Sequence, residues 1–144
     1  MLSLLLAVCV AACGSDSPTS PSSTTTTTTT TTTVADPTVT EVWDSTLPVG
    51  GFKFYSFTVE QNGTVNVTLA SIGGNFVPST VTVGLGIGQP SGTDCSATSS
   101  SNVSTQATAP QVTGTYSPGV YCVRIADVGN LFAPATFSVL VAHS

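Results

Sequence analysis

The sequence predicts an all-β fold, a single β-sandwich placed after an N-terminal export segment and a Ser/Thr-rich tether, and three observations point there. Residues 37 to 144 carry short apolar alternations bounded by Gly, Pro, Asn and Ser clusters, the signature of strands and turns. No segment shows the 3.6-residue apolar spacing of an amphipathic helix. Charged residues make up 6% of the chain, against roughly 25% in an average soluble domain, so hydroxyl side chains must cover the surface. A length of 144 residues, less the N-terminal segment, leaves room for one core.

Taken in order, Thr38 to Trp43 leads in as a first strand. Tyr55, Phe57 and Val59 then alternate with Ser56 and Thr58, Gln61-Asn62-Gly63 turns the chain, and Val65, Val67 and Leu69 alternate with Asn66 and Thr68. That pattern predicts a β-hairpin with one buried face. A third run sets Val81, Val83, Leu85 and Ile87 on one face and Thr82, Gly84 and Gly86 on the other. Small residues there admit a second backbone, so this strand is expected to be central. Gln106 to Val112 is a further candidate strand. Pro118-Gly119 then turns the chain into Tyr121, Val123 and Ile125, and the closing strand offers Phe137, Val139 and Val141. Six to eight strands result, the population of a β-sandwich.

Between Val49 and Val141 these residues resemble the bacterial prepeptidase C-terminal-like domains, small jelly-roll-type sandwiches appended to secreted proteases and other exported proteins. The carriers are Phe54-Tyr55-Ser56-Phe57-Thr58-Val59, Gly63-Thr64-Val65-Asn66-Val67-Thr68-Leu69, and Gly119-Val120-Tyr121-Cys122-Val123-Arg124-Ile125 before a closing strand. The resemblance implies a jelly-roll-like sandwich without catalytic residues of its own. This chain departs from the family in having no protease domain and in carrying a cysteine pair.

Ahead of the sandwich, Leu2 to Ala12 is almost wholly apolar and shorter than the roughly 20 residues that span a membrane. Residues 1 to 12 are therefore expected to be a secretion segment, although no Lys or Arg precedes the apolar run. Val10-Ala11-Ala12-Cys13 resembles the bacterial lipobox, which implies cleavage before Cys13 and lipidation of its thiol. An ordinary signal cut after Ala11-Ala12 is the alternative. Gly14 is not the aspartate of an inner-membrane retention signal, so the expected place is the outer membrane or the cell surface. Residues 13 to 36 collapse to Ser, Thr, Pro and Gly with ten consecutive threonines, Thr24 to Thr33. Nothing there can bury a core. At about 3.1 Å per residue such a tether reaches roughly 60 to 75 Å; a mucin-like glycosylated stalk is the second reading of the same residues.

The chain has four cysteines. Cys9 belongs to the export segment and Cys13 to the lipid, which leaves Cys95 and Cys122 as an even pair in an oxidising compartment, expected to form a disulfide. Because Cys122 alternates with Tyr121 and Val123, the bridge is expected to hold a Ser/Thr-rich loop around Cys95 against the outer face.

Function classes narrow by inventory. Only Lys53 and Arg124 are basic, against seven acidic residues and a net charge of −5, so no positive footprint for nucleic acid or anionic lipid exists. The sole histidine, His143, is penultimate and expected in a solvated tail. The serines have no evident activating base, and no Gly-x-Ser-x-Gly or His-Glu-x-x-His pattern is present, so no enzyme is expected and no cofactor. Asp44, Asp94 and Asp127 fall near predicted turns and are calcium candidates, with turn capping as the competing reading. Trp43 is either core or a platform for sugar stacking. Asn62, Asn66 and Asn102 head acceptor patterns for N-glycosylation that such a composition produces by chance. The expected function is a non-catalytic envelope module, membrane-held through a lipid at Cys13, offering its sandwich to protein or polysaccharide. A structural, self-associating β-domain is the second expectation, and a hydrolase with an unusual site the third.

Overall fold

The computed structural model describes residues 33 to 103 and 106 to 144; Cys13 and most of the tether lie outside the described residues. Eight strands follow one another: β1 (Val39–Leu47), β2 (Phe52–Val59), β3 (Gly63–Gly73), β4 (Val83–Ser91), β5 (Asp94–Val103), β6 (Val112–Tyr116), β7 (Gly119–Asp127) and β8 (Ala135–His143). They form two antiparallel four-stranded sheets in the orders β1-β8-β3-β6 and β2-β7-β4-β5. Pairs β1·β8, β2·β7, β3·β6 and β4·β5 each sum to nine. The chain is thus one long hairpin, folded at Gly92 and rolled so that successive strand pairs alternate between sheets, which is the jelly roll. The β-sandwich expected from the sequence is what forms.

Alternation builds the core. Phe57 and Val59 of β2, Val65, Val67 and Leu69 of β3, Val83, Leu85 and Ile87 of β4, Val123 and Ile125 of β7, and Phe137, Val139 and Val141 of β8 are all buried between the sheets. A bulge at Ala70, where β3 slips one residue against β8, returns Ile72 to the inner face.

Three expectations of local structure are corrected, the third at Cys95 below. First, β2 and β3 do not make a hairpin: β2 pairs with β7, whereas β3 pairs with β6 and β8. Glu60 to Asn62 carries the chain from one sheet to the other, and Ala35 fastens the crossing by donating to Asn62 O (3.0 Å) and accepting from Thr64 N (2.9 Å). Alternation reports which face of a strand is buried, and an intersheet arch satisfies it as well as a hairpin does. Second, residues 106 to 111 are not a strand, since β6 begins at Val112. That segment instead completes the edge of β3. Gln111 N and Ala107 N donate to Val67 O and Leu69 O (both 2.9 Å), while Gln111 Oε1 accepts from Leu69 N (2.7 Å).

The residues around Cys95, expected as a loop, form edge strand β5, whose exposed Ser96, Ala97 and Thr98 give no apolar period to read. Its start folds across the outer face of β4. Cys95 and Cys122 form a disulfide with their Cα atoms 5.9 Å apart, tying β5 to β7 over the intervening strand, and both are buried. The crossing is possible because residue 88 is glycine: a methyl group there would sit 1.8 Å from Ser96 O. Thr98 is the extra residue that lets β5 bend, since Ile87 pairs with Ser99 and Gly88 with Ala97. Arg124 lies beside the crossing, its Nε 3.2 Å from Asp94 Oδ1 and its guanidinium 4.3 Å from the Phe52 ring centroid.

Removing the bridge with Cys95→Ser and Cys122→Ser should lower the unfolding free energy by about 3 to 4 kcal/mol in the chain-entropy account, read by urea titration under non-reducing conditions. Gly88→Ala should cost about 1 to 3 kcal/mol with the bridge intact; an unchanged unfolding midpoint would show that β5 does not press on β4.

Candidate functional site

Two groups of residues stand out, one on the side of the sandwich and one at its end. The lateral group fills the gap between the edge strands β1 and β2. Glu41, Trp43, Ser45 and Leu47 point inward from β1 but are only progressively covered, Leu47 alone being fully buried. Trp43 stacks on Tyr55 at 5.9 Å and meets Phe137 edge-on at 4.9 Å. It packs against the core while remaining partly exposed.

Within this group Glu41 takes a donor on each oxygen. The Tyr55 hydroxyl donates to Oε2, and His143 Nε2 lies 3.0 Å from Oε1. His143 is not in a solvated tail, contrary to expectation. It is 5% exposed, because β8 runs to the penultimate residue and pairs it with Val39. Its carbonyl accepts from Thr38 N (2.9 Å) and its ring packs on Phe57 at 5.2 Å. Beyond it, Glu60 N donates to Ser144 O (3.0 Å) and Ser144 Oγ donates to Gln61 O (3.0 Å). His143 Nδ1 is buried with no hydrogen-bond partner among the described residues.

Chemically the lateral group is a latch. The Tyr55 hydroxyl, followed by the His143 contact, outweighs burial and holds the Glu41 carboxyl below its ordinary value of 4.5. The same bond to Glu41, aided by burial, holds the Tyr55 hydroxyl above its ordinary value of 10.0. A carboxylate kept ionised, with both oxygens engaged, is poorly placed to take a proton from a substrate near neutrality.

At the end of the sandwich the connections 48 to 51, 74 to 82 and 128 to 134 gather. Asp127 organises two of them. Its Oδ2 accepts from Gly50 N (2.7 Å), and its Oδ1 from Gly129, Asn130 and Leu131 N at 2.8, 2.9 and 3.2 Å. Burial pushes this carboxyl up, but the four backbone donors together bring it below its ordinary 3.8. Phe76 and Phe132 project from two of these connections, each 93% exposed. Sequence reading by alternation has no way to flag them, since a lone Phe in a loop belongs to no period.

The structure does not gather the calcium candidates. Asp44 lies within β1, which runs on past Trp43 to Leu47, rather than at a turn. Asp94 caps Cys95 N (2.7 Å) and meets Arg124, and Asp127 caps the loops just described. No three His, Cys, Asp or Glu residues come together among the described residues. Comparison with known proteins finds no family model that matches this chain and no curated protein that matches it.

The latch has a pH window. Glu41 is depressed, so its contribution is present above about pH 4.5 and fades as pH falls through the folded value; Tyr55 is raised, so its contribution is present below about pH 10 and fades as pH rises through the folded value. Tyr55→Phe should lower stability by about 1 to 2 kcal/mol at pH 7 and flatten both limbs of the stability–pH curve, leaving the Asp127 part of the acid limb. Unfolding free energies from pH 3 to 11 check this, and limbs of unaltered slope would sink the latch.

Proposed function

We propose that the protein is a non-catalytic exported module, lipid-anchored to the bacterial envelope through Cys13, which carries its jelly roll on a long tether and presents the end carrying Phe76 and Phe132. The observation that carries this reading is the polarity of the sandwich. The chain that follows Cys13 enters at Ala35 to Val39, beside His143 and the arch at Glu60 to Asn62. The exposed phenylalanines stand at the other pole, beyond Gly73 and Ala135. Strands of nine residues separate the poles by about 30 Å. A tether reaching roughly twice that distance leaves the Phe-bearing pole free to meet what the envelope offers.

The self-assembling alternative is disfavoured by the sheet edges. Edge strand β1 carries the inward-pointing Glu41, β2 carries Lys53, β5 is bulged and disulfide-tied, and β6 has five residues. Inward charges, lysines, bulges and short strands each oppose edge-to-edge pairing.

Intact-mass measurement with peptide mapping of the full chain expressed in a bacterial host tests the anchor. A mature chain beginning at acylated Cys13 is the expected product, with Cys13→Ser exported but unacylated. A wild-type chain cut elsewhere and free of acyl groups would end the lipoprotein reading.

A further inference from the structure

We infer that the pole bearing Phe76 and Phe132 is a membrane-touching end, whose two rings enter a lipid bilayer at the boundary of headgroups and acyl chains. This deepens the envelope reading and rests on it only for the nearness of a membrane.

Scattered apolar residues on a surface need no explanation, but these two are not scattered. Their loops touch: Asn130 Nδ2 donates to Thr82 O (3.2 Å), and a Cβ built on Gly74 would lie 3.2 Å from Pro134 O. Val49 and Val128, about half exposed, stand on connections at the same pole. Beneath the rings the base is fixed, because Val77, Val81 and Leu131 are buried and Asp127 holds four backbone donors.

Phe76 also occupies a backbone state that a phenylalanine fits badly. It is the third residue of a turn closed by Val77 N to Gly74 O (3.2 Å), at φ +66, the only positive φ of a non-glycine among the described residues. Gly or Asn is the ordinary occupant of such a position, and other residues there cost about 1 kcal/mol or more. A ring that is 93% exposed gains no packing in return. Folding alone does not account for Phe at this position; an external apolar contact does.

A bilayer fits better than a second copy of the chain. The two rings bury on the order of 150 to 250 Å² each, well short of the roughly 800 Å² per partner that a stable protein interface needs. A fluid bilayer requires no complementary shape. Charge leaves a neutral bilayer surface open to this pole. Asp127 is engaged by backbone N–H groups, and exposed Lys53, near the start of β2, and exposed Asp44, three residues before the end of β1, offset one another. Asp36, Glu41 and Glu60 lie toward the tether pole.

The test uses the full chain carrying Cys13→Ser, so that no acyl group is attached, with Phe132→Trp as a local reporter. It is mixed with vesicles of phosphatidylcholine, with and without bromine on the acyl chains. Insertion predicts a blue shift and bromine quenching of the residue-132 emission, absent from the parent chain, in which Trp43 is the only tryptophan. Phe76→Ser should then weaken vesicle partitioning about tenfold, the order expected from exposing one aromatic ring. Phe76→Asn should weaken the quenching while leaving the thermal midpoint unchanged or higher. Emission at residue 132 that ignores brominated lipid overturns the inference, as does quenching that survives both Phe76 variants or pole-dependent binding to protein or polysaccharide in place of vesicles. Acylation of the wild-type chain is read separately by mass: an acylated chain without quenching leaves the anchor and removes the insertion, and quenching without acylation does the reverse.

Discussion

Everything in this molecule depends on one apolar layer shared by two sheets. The chain has so few charges that it cannot specify its fold by ion pairs, and the ones it has are mostly spent on edges and loops. Specification falls to Val, Ile, Leu and Phe at alternate positions of β2, β3, β4, β7 and β8, each buried to within a few per cent. A strand that slipped by one residue would turn its whole apolar set outward. The bulges at Ala70 and Thr98 are the two places where the register is deliberately broken, and both serve the layer. One brings Ile72 back inside; the other lets β5 bend across β4 so that the disulfide can close.

The same dependence explains what could be read from the sequence and what could not. Alternation such as Tyr55, Phe57, Val59 is a direct consequence of one-sided burial, so the existence of β2, β3, β4, β7 and β8 was legible. Pairing was not, because an arch between sheets and a hairpin within one leave the same periodic mark. The Gln106 and Gln111 side chains, whose Oε1 atoms accept from Ile72 N (3.4 Å) and Leu69 N (2.7 Å) along β3, are invisible for a related reason: they reach β3 only because the chain has been brought back from β5. β5 itself escaped notice since its exposed hydroxyl residues carry no apolar rhythm, although cysteine parity located its partner. His143 illustrates the opposite error. Position in the chain suggests a solvated tail, yet β8 needs that residue to complete its ladder with β1, and the imidazole is carried inside with it.

The lateral and terminal groups divide the remaining chemistry between them. Glu41, Tyr55 and His143 join the two edge strands to β8 where the sandwich is open at its side, and an inward carboxylate on β1 also makes that edge a poor template for another chain. The arrangement closes on itself: each oxygen of Glu41 has a donor, and the aromatic rings of Trp43, Tyr55 and Phe137 lie against one another. Apart from the buried His143 Nδ1, which has no hydrogen-bond partner among the described residues, the group spends its polar atoms on the fold. The terminal group is the reverse. Asp127 fastens the loop backbones from within, and what the loops hold outward is unsatisfied apolar surface.

That contrast is the ground on which function is proposed, a mismatch rather than a motif. A sequence shaped only by folding has local preferences that agree with its structure, and departures from that agreement mark positions held for another reason. Across this domain the agreement is close: glycine where β5 crosses β4, glycine at φ +60 in the turn between β4 and β5, aspartate where loop N–H groups need an acceptor. Phe76 breaks it twice, in backbone state and in exposure, and Phe132 breaks it once on the neighbouring loop. Polar residues at both places would serve the fold at least as well. The apolar rings are therefore explained by what they meet outside the molecule, at the pole farthest from where the tether enters.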